Sequence, residues 1–172
     1  MAFFPCIFFN QQNTTFFDGT NRNWNGCDRR QIADFILERA DERNEFYKLL
    51  LKLCNYCETH DLRLIVENPW SVLHYLHNNF MYKPTIIDKN RQMRGDYFVK
   101  PTQYIFVNCK PTYGQSYSLP KQKKSVNFCC GHNGSLCDEG RSMISPDYAR
   151  NFICDFILGK TQNLKGMQLS LF

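Results

Sequence analysis

No apolar run in the 172-residue chain comes near the roughly 18 residues that a membrane span requires, so no transmembrane helix is expected. Met1–Phe9 has neither a basic leading region nor a small-residue cleavage site, which argues against a secretory signal. An excess of one charge is also nearly missing: the formal net charge is +5, which permits a nucleic-acid partner without demanding one. The nine cysteines lack the paired knuckle spacing of a zinc module. Cys54-x-x-Cys57 sits in a helical stretch, and Cys129-Cys130-Gly131-His132 with Cys137 forms a separate group. With no sign of secretion, the thiols read as free in a reducing, cytoplasmic compartment, and no metal is expected. A small zinc protein using Cys54, Cys57, Cys129 and His132 stands as an alternative.

What is present suffices for a folded domain: 43% hydrophobic and 15% aromatic residues support a real core. The start of the chain, from Ala2 to Phe4 and on toward Phe9, is apolar and β-prone, with its aromatics expected in the core. Residues 10–28 are polar and rich in Gly and Asn, so a long loop is expected there. Apolar residues recurring at three and four predict a helix from Arg29 to about His60, with a break or change of phase near Ala40-Asp41. Leu62–Val66 reads as a buried strand ended by Asn68-Pro69. Ser71 is placed to cap a helix reaching about Asn79. Thr85–Ile87 and Gln103–Asn108 read as strands, and residues 110–138 as loop. Ser145-Pro146 starts a final helix to about Leu158, which Gly159 ends. Strands alternating with helices predict an α/β fold with a mostly parallel sheet, in which functional residues lie at the carboxyl ends of strands. Cys6 and Glu67 both fall at such ends.

A thiol and a carboxylic acid brought together can activate a pyrimidine. Carbon 5 of cytosine is a poor nucleophile. A thiolate added at carbon 6, with a proton delivered to ring nitrogen 3, turns the ring into an enamine that attacks an electrophilic methyl. The base must first leave the duplex.

Pro5-Cys6-Ile7-Phe8-Phe9-Asn10 resembles the Pro-Cys catalytic loop of DNA cytosine-5 methyltransferases. Glu67-Asn68-Pro69 is similar to the family's Glu-Asn-Val, in the Glu-Asn-Pro form of phage-type relatives. Residues 94–102, Arg-Gly-Asp-Tyr-Phe-Val-Lys-Pro-Thr, resemble another segment of those enzymes, as does Arg141-Ser142-Met143-Ile144-Ser145-Pro146. The resemblance covers most of residues 1–158, in matching order. It implies an incomplete Rossmann-like methyltransferase sheet, with Cys6 as nucleophile and Glu67 holding and protonating the cytosine. It implies that Arg94 supports the flipped base or its phosphate. It also implies S-adenosylmethionine as methyl donor, against Pro5, Asn68 and Ser142. The family's Gly-rich turn and the acidic residue ending its second strand both precede the Pro-Cys loop, and only four residues precede Pro5 here. The expectation is therefore a domain at 1–158 that lacks its donor-binding start, inactive alone, and completed by a missing N-terminal fragment or by dimerisation.

The pentapeptide Gln168-Leu169-Ser170-Leu171-Phe172 resembles the bacterial sliding-clamp-binding motif at every position. Leu171 and Phe172 suit one apolar pocket and Gln168 a second, with Leu169 between them, and residues 159–166 supply a flexible reach. The alternative to a DNA-modifying enzyme is thus a non-catalytic module that binds DNA and the clamp.

Overall fold

The computed structural model describes the backbone of residues 1–3, 6–10, 12–114 and 144–159, with the side chains of all of these except residues 3, 6 and 12–14. These residues fall into two compact units. The first takes Met1–Lys89 and Pro101–Lys110; the second takes Asn90–Lys100 and, among the described residues, 111–114 and 144–159.

In the first unit, strand β1 (Ala2–Phe3) leads to a 3-10 turn at Cys6–Phe8 and a short helix α1 (Gln12–Phe17). A second 3-10 turn (Arg22–Trp24) precedes the long helix α2 (Arg29–Thr59). Then come β2 (Leu64–Pro69), α3 (Tyr75–Asn79), β3 (Ile86–Asp88) and β4 (Thr102–Val107).

Asp28 sets the start of α2. Its carboxylate accepts the N–H groups of Arg30 and Gln31 at 2.8 and 2.9 Å, and the Gln31 side-chain oxygen accepts the Asp28 N–H at 3.0 Å. This reciprocal cap satisfies donors that the first helical turn cannot. The helix then runs through Ala40-Asp41 without the expected break. Leu50, Cys54 and Cys57 recur on one stripe and pack with Val66, Ile105 and Val107 of the sheet. At the far end Asn108, in a left-handed conformation, donates its side-chain N–H to the carbonyl of Cys57 at 2.7 Å.

The four strands lie in the order β1-β2-β4-β3. The expected mostly parallel, Rossmann-like sheet is not what forms. Only β1 and β2 are parallel; β4 runs antiparallel to both of its neighbours, β2 and β3. A continuous apolar run signals a strand buried on both faces. It does not signal direction, and β4, buried through most of its length, would read the same either way. Pro101 stands just before β4, where its missing N–H costs the ladder nothing, and its carbonyl accepts the Trp70 N–H at 2.9 Å.

Residues 10–28, expected as loop, hold α1 and the Arg22–Trp24 turn. Aromatic packing orders them: Phe16 meets Trp24 edge to face at 4.5 Å between centroids, and Trp24 stacks on Phe35 of α2 at 5.7 Å.

In the second unit a 3-10 turn (Arg91–Arg94) is followed by α4 (Pro146–Phe152), which continues as a π-helical turn at Ile153–Ile157. Ser145 caps α4 as expected, accepting the Tyr148 N–H at 3.0 Å.

Leu50 is 0% exposed and Leu37, on the same helix, 64%. Leu50→Ala is expected to cost about 2–5 kcal/mol in urea unfolding, and Leu37→Ala less than about 0.5 kcal/mol. Equal costs would show that α2 does not pack by this stripe.

Candidate functional site

The parallel pair β1–β2 pairs Ala2 with Val66 and Phe3 with Glu67. Parallel neighbours finish at one edge of a sheet, so the turn that Cys6 opens and the Glu67-Asn68-Pro69 segment belong to the same edge. Among the described residues, Glu67 is 7% exposed and stands opposite Tyr104 of β4. For Cys6 the backbone is described and the side chain is not. Residues on the C-terminal side of Cys6 fix its turn: Phe8 stacks on Phe46 at 4.6 Å, Phe9 is in the core, and the Phe9 carbonyl accepts the Tyr75 N–H at 2.8 Å.

Past Pro69 lies a polar group that no sequence motif marks. Gln103 of β4 donates its amide N–H to the Pro69 carbonyl at 3.1 Å and to Nδ1 of His74 at 3.0 Å. An Nδ1 that accepts leaves the proton on Nε2. That Nε2 is buried and has no hydrogen-bond partner among the described residues, and the same holds for the Trp70 indole N–H and the Ser71 hydroxyl. Burial drives the His74 pKa from 6.5 down to about 4, with the nearby His77 adding to the effect, so the ring is neutral near pH 7. The signal for this group was a glutamine inside the otherwise apolar strand at 102–107, a residue that must find a partner when buried. Ser71, expected as a helix cap, is not one: α3 starts after His74, which makes no side-chain cap.

Arg94 lies in the second unit. Its Nε meets the Asp155 carboxylate at 3.1 Å, and its guanidinium lies 4.7 Å from the Phe156 ring centroid. The residues around it are clasped by α4. Ser145 donates its hydroxyl to the Gly95 carbonyl at 2.6 Å, and Asn151 donates to the Arg94 carbonyl at 2.9 Å. Arg91, fully buried, pairs with Asp96 at 2.6 Å and covers Tyr148 at 4.3 Å. Gly95 adopts φ +92°, which a side chain would disfavour. The Arg94-Gly95-Asp96 and Ser145-Pro146 segments, both marked by motifs in the sequence, thus meet within this unit.

Of the residues expected to hold S-adenosylmethionine, Pro5 and Ser142 lie outside the described residues. Asn68 is 1% exposed and paired in the sheet opposite Gln103, so it presents no surface to a donor molecule. Cys54 and Cys57 are core residues, and burial pushes the Cys54 thiol up to about 12. Cys129, His132 and Cys137 lie outside the described residues, as do Gln168, Leu169, Leu171 and Phe172. No helix among the described residues is long and apolar enough to cross a membrane.

No family model, curated protein or solved structure matches this chain.

The His74 ring carries a pH signature. Between pH 6.5 and about 4 the unfolded chain takes a proton that the folded protein refuses. Stability is therefore whole above pH 6.5 and falls as the pH drops toward 4, by no more than about 3 kcal/mol. Urea melts across this range should show the fall, and His74→Gln should flatten it. An imidazole titrating near 6.5 in the folded protein would remove the effect.

Proposed function

We propose that this chain carries the cytosine-activating half of a DNA cytosine-5 methyltransferase-like site. Cys6 adds to carbon 6 of a flipped cytosine, forming a C–S bond, while Glu67 delivers a proton to nitrogen 3. Carbon 5 becomes nucleophilic. Without an added methyl donor, the reaction assigned to the chain's own residues ends at a water proton. Carbon 5 takes that proton and gives up its own to solvent. Glu67 recovers its proton from nitrogen 3 as the thiolate leaves, and cytosine is regenerated. The observation that carries the reading is the parallel register of Phe3 with Glu67, which starts the Cys6 turn from the strand beside the carboxylate. The burial of Glu67 supports it, since a proton donor of this kind works where water is excluded.

DNA tritiated at carbon 5 of cytosine tests this without any cofactor. The full chain should release tritium to water. Cys6→Ser should stop the release, and Glu67→Gln should slow it by at least about a hundredfold. Release no faster than in buffer, or unchanged release by the serine variant, would reject the assignment.

A second reading rests on the pentapeptide Gln168–Phe172, whose pattern fits a bacterial sliding clamp. It is compatible with the first. Deleting residues 168–172 is expected to abolish binding to an immobilised clamp while leaving the melting temperature unchanged. A variant that still binds would place any clamp contact elsewhere.

A further inference from the structure

Arg39 and Arg43 lie one turn apart on α2, and both are covered by rings. The Arg39 guanidinium sits 5.1 Å from the Phe8 centroid and 5.0 Å from that of Phe16, with Glu42 as counter-ion at 3.8 Å. The Arg43 guanidinium lies 4.4 Å from the Phe17 centroid and 4.5 Å from that of Tyr75. It differs from Arg39 in how its charge is answered. Among the described residues Arg43 makes neither an ion pair nor a hydrogen bond, and its Nε is buried without a partner. A guanidinium held between two aromatic faces keeps a fixed orientation, and its Nη edge remains as a planar pair of donors.

Arg43 lines a cleft of about 390 Å³, together with Asn10, Phe17, Asp18, Tyr75 and Asn79. Asn10 adds a second unsatisfied polar atom, its buried side-chain oxygen. Asp18 is already bound to the N–H and hydroxyl of Thr20, at 2.8 and 2.6 Å, so it stays in its own turn and does not reach across to Arg43. The cleft thus offers one uncompensated cation and a separate carboxylate. A phosphate satisfies the first; the Asp18 carboxylate, exposed and already bonded to Thr20, does not require a ligand. A nucleotide adds to that phosphate a base or sugar N–H or O–H, which the second oxygen of the Asp18 carboxylate can accept. The volume falls in the range of small-molecule sites.

We infer that the cleft under Arg43 is a nucleotide-phosphate site. The phosphate arrives either on a free mononucleotide or as a phosphodiester of a single DNA strand; the recognising chemistry is the same. The inference does not rest on the chemistry assigned to Cys6 and Glu67.

Thymine probes keep the two questions apart, because they offer Cys6 no cytosine. The full chain would be titrated by calorimetry with inorganic phosphate, thymidine 5′-monophosphate and a short oligothymidylate. Saturable binding is expected, weakened at least about tenfold by Arg43→Met, which keeps the apolar stem between the rings. Mononucleotide binding as tight as the oligomer's would identify a free nucleotide. Tighter oligomer binding, with a salt dependence that drops by about one charge in Arg43→Met, would identify a strand. Should Arg43→Met not fold, Arg43→Lys decides. It keeps the charge and loses the fork, and a loss of at least about threefold is expected. Failure of every probe to bind the wild-type chain, or undiminished binding by the folded variant, would overturn the site.

Discussion

The constraint on which the first unit depends is that β2 is used along both edges. On one side it pairs antiparallel with β4 from Leu64↔Val107 to Pro69↔Thr102, and on the other it takes β1 in parallel. A strand paired on both sides has its register fixed twice over. A slip of one residue would turn Val66 away from α2 and reverse every side chain of the strand. Everything at the candidate edge depends on where β2 stops. Pro69 ends the ladder, its carbonyl is taken by Gln103, and the Trp70 N–H is taken by Pro101. The chain then turns through His74 into α3, which in turn bonds the Phe9 carbonyl beyond Cys6.

Both units hold their irregular segments with the same device, an arginine laid on an aromatic ring. In the first unit Arg39 and Arg43 of α2 cover Phe8, Phe16, Phe17 and Tyr75. In the second, Arg91 and Arg94 cover Tyr148 and Phe156. The difference lies in how the charge is answered. Arg91, Arg94 and Arg39 each have a carboxylate beside them, at Asp96, Asp155 and Glu42. A cation that stacks and is also paired is a structural tie, with its charge answered. Arg43 stacks without a carboxylate partner among the described residues, which sets it apart from the other three.

Local chemistry in the sequence was the legible part. The periodicity of residues 29–59, the Ser145-Pro146 helix start and the two better strands were readable because each is decided by neighbours a few residues away. The direction of β4 was not. It depends on which edge of β2 the returning chain reaches, and neither β-branched content nor burial encodes that. The 10–28 segment misleads for a related reason. Its polar and glycine-rich composition is that of a loop, but four aromatics, Phe16, Phe17, Trp24 and the Phe35 they reach, supply packing that composition does not reveal. At the candidate site the two strand ends were legible because short motifs mark them. Gln103 and His74 were not, because their roles arise from a cross-strand register that brings residues far apart in sequence within hydrogen-bonding distance.

A side chain that comes after so short a strand must be oriented by something other than that strand, since β1 contributes only two residues. In this chain the orientation of the Cys6 turn comes from the residues after it. Phe9 is a peg in the core, Phe8 is stacked on α2, and Tyr75 bonds the backbone between them and α1. Those contacts place the far end of the turn on the helix that succeeds Glu67-Asn68-Pro69. The thiol-bearing and carboxylate-bearing segments are thereby joined twice, once through the parallel register before the turn and once through Phe9 and Tyr75 after it. Anchors on either side of a three-residue turn restrict its backbone, and the reaction proposed for Cys6 and Glu67 requires such a restriction.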